Sequence, residues 1–224
     1  MLDPASSGDA AERRLGIVGA GKVGTTIARA AMVGGYDVAI SGSGSAERIG
    51  LIVDVLAPGA RAVTTDEVVR FADMIVLAIP MHRFRELPRD RFAAKILVDA
   101  MNYWDEIDGV DKELAAATGG TSRVVQERFT SARVVKSLNH LGYYDFDKGR
   151  RPRGAPGRIA IAAAGDDRAA VAAVMRLIDR LGFDAVDAGP LEAGRALEPD
   201  GAVFGISHSV DELWDLLWSE ASSA

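Results

Sequence analysis

The chain contains no cysteine in its 224 residues. Disulfide bonds, thiolate nucleophiles, iron–sulfur clusters and cysteine zinc sites are therefore excluded. Its three histidines, His82, His140 and His208, are far apart in the sequence, so a histidine metal site is not expected either. We therefore predict a protein with no resident metal.

Long apolar runs and an excess of positive charge are also missing. No apolar stretch approaches the ~20 residues that a membrane helix needs, and Met1 to Glu12 lacks the basic and apolar regions of a secretory signal. The net charge is −6, from 26 Lys+Arg and 32 Asp+Glu, which argues against nucleic-acid and membrane partners. We expect a cytoplasmic protein whose residues 1–13 form a disordered tail.

Glycine, by contrast, is abundant, and three of its 24 occurrences form the most informative motif. Gly19, Gly21 and Gly24 stand between the apolar segment 14–18 and an Ala-rich segment of helical character. A G-x-G-x-x-G between a strand and a helix is typical of dinucleotide-binding sites, because the helix N-terminus then faces the pyrophosphate. The alternative is a purely structural glycine turn. The residues predicted to bind the pyrophosphate are Gly19, Ala20, Gly21, Lys22, Val23 and Gly24.

Strand-like and helix-like segments alternate along the chain. Segment 74–79 is wholly apolar and segment 95–99 has an apolar centre between Lys95 and Asp99, as strands covered on both faces should have. This alternation predicts an α/β fold, a Rossmann-type doubly wound and mostly parallel sheet with helices on both faces. We predict a nucleotide-binding domain over residues 14–188 and a small C-terminal helical segment over residues 189–224. The basic, Pro-containing residues 145–157 should form an exposed excursion.

The end of the second predicted strand indicates which nucleotide is bound. NAD-specific sites carry an acidic residue about 20 positions after the first glycine, but residues 39–41 contain none, and Asp37 stands at the wrong end of the strand. Hydroxyls, free amides and a nearby Arg can bind a 2′-phosphate. The sequence therefore favours NADP over NAD, although a flexible Ser/Gly loop that binds nothing remains the alternative. The residues predicted to contact this phosphate are Ser41, Gly42, Ser43 and Arg48.

Three later segments also follow predicted strands and should reach the same edge of the sheet, where ligands bind in open α/β folds. The residues predicted to line the nucleotide there are Ala78, Ile79, Pro80 and Asn102. Asn139 and His140 are the candidate catalytic residues, because an imidazole at this edge could donate to a substrate carbonyl or transfer a proton. The alternatives are a strand-ending proline and a structural histidine.

The length of the chain limits the reaction. Only 37 residues follow Asp187, near the end of the last predicted strand, which we expect to be too few to enclose a small substrate. The nicotinamide face should be open or covered by a second subunit, and an open face suits a large planar acceptor.

Six segments, taken in order, resemble the F420-dependent NADP oxidoreductase family, whose founding activity is hydride transfer between NADP(H) and the deazaflavin coenzyme F420. They are residues 19–24, 41–44, 77–80, 134–140, 164–167 and 187–191. The resemblance extends over about residues 14–205. It implies NADP and F420 as cofactors, a homodimer, and catalysis mainly by alignment of donor and acceptor. It places His140 near the two stacked rings. Ser43 departs from the pattern, because the family usually has Arg there.

Three functions are consistent with these observations. The first is an NADP(H)-dependent oxidoreductase that transfers hydride between NADPH and F420 or a related flavin. The second is an NADP-dependent reductase of a small carbonyl or imine, with His140 as proton donor. The third is a non-catalytic NADP(H)-binding sensor.

Overall fold

The computed structural model describes residues 13–219. All but the last residue of the predicted tail, together with residues 220–224, lie outside this range. Eight strands within it form one sheet: β1 Arg14–Val18, β2 Asp37–Ser41, β3 Arg61–Ala62, β4 Met74–Leu77, β5 Ile96–Asp99, β6 Arg133–Ser137, β7 Ala160–Gly165 and β8 Asp184–Gly189.

The strand order is β3-β2-β1-β4-β5-β6-β7-β8, and every neighbouring pair except β6–β7 is parallel. The first six strands have the order of doubly wound dinucleotide-binding folds. All residues of β5 and β7 are buried, because helices or irregular segments cover both faces. The predicted doubly wound, mostly parallel α/β fold is confirmed.

Helices cover the sheet on both sides. They are α1 Lys22–Val33, α2 Ala46–Leu56, α3 Thr65–Phe71, α4 Asp105–Asp108, α5 Lys112–Ala115, α6 Thr121–Arg128, α7 Tyr143–Lys148, α8 Arg168–Leu181 and α9 Val210–Ser219, with 3-10 helices at Met81–Glu86, Arg89–Phe92 and Leu191–Leu197. Capping residues in the sequence determine where several of these helices begin and end. Thr64 and Glu67 form a capping box at α3, Asp167 accepts from the Ala170 amide at α8, and Gly182 ends α8 with φ 100°.

The hydrophobic core lies on both faces of the sheet. One cluster contains Ile27 of α1 and Leu177 of α8, and another contains Val68 of α3 and Phe129 after α6. A smaller third cluster joins Leu213 of α9 to the β7–β8 part of the sheet. The C-terminal segment therefore packs on the sheet; the predicted domain boundary at residue 188 stays a prediction.

The direction of β7 differs from that of its neighbour. Val135 pairs with Gly165 and Ser137 with Ala163, so β7 runs against β6. The long connection before β7, of which residues 151–154 are exposed, brings the chain back at the carboxyl end of β6. The carboxyl ends of β7 and β8 therefore point away from those of β1–β6.

Candidate nucleotide-binding cleft

Two of the three loop glycines are required by the backbone around them. Gly19 has φ +125°, and a Cβ there would lie 2.2 Å from the Ala78 carbonyl oxygen. A Cβ on Gly24 would lie 1.8 Å from the Gly19 carbonyl oxygen. These glycines therefore allow β1, β4 and α1 to approach one another closely.

Gly21 differs, because a Cβ built on it meets nothing within 4 Å. It is the N-cap residue of α1, no side chain caps this helix, and the first turn carries no acidic residue. The helix N-terminus thus presents amide groups and the positive end of its dipole to open space. Exposed Lys22 adds a cation there, with Nζ 5.4 Å from the Tyr143 ring centroid. This geometry is that of an anion site.

Backbone hydrogen bonds bring the predicted cleft segments together. The Gly19 amide donates to the Ser41 carbonyl at 2.7 Å, and the Ala78 amide donates to the Val18 carbonyl at 2.8 Å. The ends of β2, β1 and β4 are therefore tied side by side. Beyond Ala78, Ile79 is partly buried and Pro80 is exposed on the same edge, where they can line a ligand.

The four residues predicted for the 2′-phosphate have different environments. Ser41 is fully buried and its Oγ lies 3.1 Å from Thr65 Oγ1, so this hydroxyl supports the end of β2 from within. Gly42 packs closely, since a Cβ there would lie 2.9 Å from Ile49 Cγ2. Ser43 is exposed. Arg48 is also exposed, and its Nη1 would lie 3.7 Å from a Cβ on Gly44. Ser43 and Arg48 thus remain accessible to a phosphate.

One acidic residue stands near this loop. Glu47 lies in the first turn of α2, and hydrogen bonds from the Ser45 side chain and from its own amide lower the pKa of its carboxyl group. Its carboxylate therefore lies at the positive end of the helix dipole. No acidic residue occupies the end of β2 itself.

Asn102 and Asn139 meet at the rim formed by the ends of β5 and β6. Asn139 Nδ2 donates to Asn102 Oδ1 at 2.9 Å and to the Leu197 carbonyl at 2.6 Å, and Asn102 Nδ2 donates to the Asn139 carbonyl at 3.0 Å. Asn139 is buried, whereas Asn102 is partly exposed. The structure therefore places Asn102 on the rim and Asn139 behind it.

His140 is only 2% exposed, and its ring contacts β7. Nε2 accepts from the Ala162 amide at 3.1 Å, which leaves the proton on Nδ1, and Nδ1 has no hydrogen-bond partner among the described residues. Burial lowers the pKa of His140 to about 4, with smaller contributions from His208 and Lys136. The imidazole is therefore neutral near pH 7, and a proton-donor role would require the ring to move.

A buried ion pair beneath the rim was missed by sequence reasoning. Lys136 and Asp99 are both fully buried, with Nζ 3.6 Å from Oδ2. Lys136 Nζ also donates to the Met101 carbonyl at 2.6 Å, and Ser122 Oγ donates to Asp99 Oδ2 at 2.6 Å. Asp99 and Lys136 face each other in register on β5 and β6. The sequence signal for this pair was the presence of an acidic and a basic residue, Asp99 and Lys136, at or near the ends of two apolar strands. The network holds the turn that leads to Asn102.

The described residues were also compared with the requirements of a metal site and of a membrane-spanning helix. Among residues 13–219, no group of three or more His, Asp or Glu side chains is arranged to hold a metal ion. No helix in the same range is long and apolar enough to cross a membrane.

Residues 14–103 match the family model described as NADP oxidoreductase, coenzyme F420-dependent. No curated protein matches the chain. A candidate F420-dependent NADP-reductase from Arthrobacter sp. FB24 is similar in structure, with a TM-score of 0.69 and 25% identity over 93% of this chain and 94% of the other.

Two other solved structures show the same fold at lower identity. A hypothetical protein from Sinorhizobium meliloti has a TM-score of 0.76 and 23% identity, over 87% of this chain and 94% of that one. An imine reductase from Pseudomonas sp. has a TM-score of 0.55 and 15% identity, over 80% of this chain and 56% of its own. Residues 14–103, which contain the glycine loop and the strand ends that meet it, are therefore similar to the F420-dependent NADP oxidoreductase family.

Proposed function

We propose that the protein is an NADP(H)-dependent oxidoreductase that transfers hydride between NADPH and coenzyme F420 or a related flavin-type acceptor. The observation that carries this proposal is the uncapped start of α1, where Gly21 faces open space at the carboxyl edge of the sheet. The family match over residues 14–103 supports the same assignment.

The cleft offers a separate group for each part of the nucleotide. The amides at the start of α1 bind the pyrophosphate. Ser43 and Arg48 bind the 2′-phosphate, since a guanidinium forms charge-assisted hydrogen bonds with phosphate oxygens and the end of β2 has no carboxylate to repel them. Ala78, Ile79 and Pro80 line the next part of the nucleotide along the sheet edge.

The dihydronicotinamide supplies the hydride when it is bound, and the chain's own residues bind and orient it. Asn102, held by Asn139, is the polar group at that end of the cleft. Hydride transfer between two aligned rings requires no acid or base from the protein, and the accompanying proton comes from solvent. Alignment is therefore the main contribution of the site.

We further propose that the acceptor face is open in this chain and that a second copy covers it in a homodimer. The exposed apolar face of α2 supports self-association, because four of its large side chains are 41–76% exposed. They are Leu51, Ile52, Val55 and Leu56. Light scattering coupled to gel filtration tests this, and a monomer of 23.7 kDa at all concentrations would contradict it.

Steady-state loss of NADPH absorbance with F420, FMN and FAD as separate acceptors tests the main proposal. Turnover with at least one acceptor is expected, with NADH a much poorer donor. Gly21→Asp is the negative control, because its side chain fits the fold but puts a carboxylate where the pyrophosphate would bind. Tight NADPH binding without turnover on any acceptor would exclude the proposal and favour the non-catalytic sensor.

A reductase of a small carbonyl or imine is the second candidate. The fold that the chain shares with the imine reductase from Pseudomonas sp. favours it. His140→Ala distinguishes the two: lost turnover with unchanged NADPH affinity would support His140 as proton donor. The buried, neutral imidazole leads us to expect turnover to persist.

A further inference from the structure

A second cavity, of about 310 Å³, lies at the amino edge of the sheet, opposite the glycine loop. Its floor contains the first residues of four strands, Arg14, Met74, Ile96 and Arg133. Helix α8 crosses above it. Strands of four or five residues put the two edges of the sheet on the order of 15 Å apart. This cavity, which we term the amino-edge arginine cavity, is therefore distinct from the nucleotide cleft.

Four arginine residues line this cavity, although the chain as a whole carries net charge −6. They are Arg14, Arg133, Arg176 and Arg180. Among the described residues, 13–219, the lining contains one carboxylate, that of Asp73, and Lys95 Nζ already donates to it at 2.7 Å. Lys95 contributes most to the lowered pKa of Asp73, ahead of Arg14 and Arg133. The cavity thus keeps an excess of positive charge.

Three of these arginines have no carboxylate within 4.0 Å among residues 13–219, namely Arg14, Arg133 and Arg176. Arg158 shows the contrasting case, since it pairs with both Asp179 and Asp184. Two of these three arginines, Arg133 and Arg14, have uncharged neighbours. Arg133 Nη2 donates to the Ala94 carbonyl at 3.0 Å, and Arg14 Cζ lies 5.7 Å from the Phe71 ring centroid. Their remaining N–H donors are left available to a ligand.

The walls between the arginines are apolar. Ile96 is 9% exposed, Ala169 and Ala173 line the α8 side, and the Tyr36 ring lies 5.8 Å from Arg180 Cζ. Like charges brought together beside apolar walls repel one another more strongly than they would in water. Arginine binds phosphate and carboxylate in a two-pronged geometry, so an anion would relieve this repulsion and satisfy the donors together.

We propose that the amino-edge arginine cavity binds a small polyanion, a molecule that carries two or more phosphate or carboxylate groups. The ligand would occupy it independently of the nucleotide, since the two sites lie on opposite edges of the sheet.

Calorimetric titration with inorganic pyrophosphate and with citrate tests the proposal and separates phosphate from carboxylate ligands. The background is the Gly21→Asp variant, whose nucleotide cleft is blocked, so the result does not depend on the proposed oxidoreductase activity. At least one probe should bind, and Arg133→Gln with Arg176→Gln should weaken it roughly tenfold per lost guanidinium. Arg89→Gln, at an exposed arginine outside the cavity, is the matched control and should change nothing.

A second variant keeps the positive charge of the cavity and reduces only its volume. Ala173→Leu, on α8, should fill part of the cavity and weaken binding while it preserves all four arginines. Arg133→Gln with Arg176→Gln should melt no lower than the parent without ligand, because it removes like-charge repulsion. Ala173→Leu exchanges one strong helix former for another, so its melting temperature should stay close to that of the parent. Absence of binding by both probes, or equal weakening by Arg89→Gln, would overturn the proposal.

Discussion

Asn102 and Asn139 are joined by two hydrogen bonds across the ends of two neighbouring strands, one between their side chains and one from the Asn102 side chain to the Asn139 main-chain carbonyl. Asn139 Nδ2 reaches Asn102 Oδ1 at 2.9 Å, and Asn102 Nδ2 reaches the Asn139 carbonyl at 3.0 Å. Asn139 also donates to the Leu197 carbonyl. One buried amide thus connects the rim of the cleft to the C-terminal segment.

Asn139→Ala should therefore lower the free energy of unfolding by about 2–3 kcal/mol, because the Leu197 carbonyl would lose its buried donor. Urea denaturation measures this. Asn102→Ala is the matched comparison: it should cost less stability, since Asn102 is partly exposed, but should raise KM for NADPH more. Equal effects of both variants on stability and on KM would show that the pair acts only as a structural clamp.

Substitutions in the glycine loop should separate folding from binding. Gly21→Asp should preserve the melting temperature and weaken NADPH binding by about 100-fold, because like charges placed together cost several kcal/mol. Gly24→Ala should instead destabilise the fold, because its Cβ would overlap the Gly19 carbonyl. Thermal melting and fluorescence titration distinguish the two results. Full NADPH affinity in Gly21→Asp would mean that the nucleotide binds elsewhere.

The preference for NADPH over NADH should depend on Arg48. Arg48→Gln should reduce NADPH affinity about tenfold and leave NADH affinity nearly unchanged, since only NADPH carries the 2′-phosphate. Ser43→Arg should act in the opposite sense. Dissociation constants for both nucleotides measure the effect. A parallel loss for NADH in Arg48→Gln would rule out a specific phosphate contact.

Acid should destabilise the protein partly through His140. The native imidazole has a pKa of about 4, below its ordinary 6.5, so the unfolded chain binds a proton first as the pH falls. This contribution to stability is intact above pH 6.5 and falls as pH decreases from 6.5 to 4, by at most about 3 kcal/mol.

Urea denaturation at a series of pH values, for the parent and for His140→Gln, checks this prediction. The variant should lose less stability than the parent over that range, even if it is less stable at pH 7. Identical slopes in the two proteins would indicate that His140 becomes protonated within the native state near its ordinary pKa.

The glycine loop, the doubly wound sheet and the meeting of three strand ends were predictable from the sequence, because each has a local signal. Gly19 and Gly24 follow an apolar strand, and Pro80 and Asn102 follow others. Parallel strands then bring these ends to one edge without further information.

The surroundings of His140 had no such signal. Its burial depends on β7 running against β6, which puts the Ala162 amide beside its ring. That direction is set by where the long connection before β7 returns to the sheet, and hydrophobic periodicity does not encode it. The Lys136–Asp99 pair was missed for a related reason: it requires the register of two strands that are 37 residues apart.

The hydrogen bond from Asn139 to Leu197 also has a consequence for synthesis. The two residues are 58 positions apart in the chain, and domains begin to fold from the N-terminal end as the ribosome extends them. The glycine loop and β1–β6 can assemble early, but the rim of the cleft gains its last support only after Leu197 has emerged. A nascent chain should therefore acquire its fold before it acquires a fully formed cofactor site.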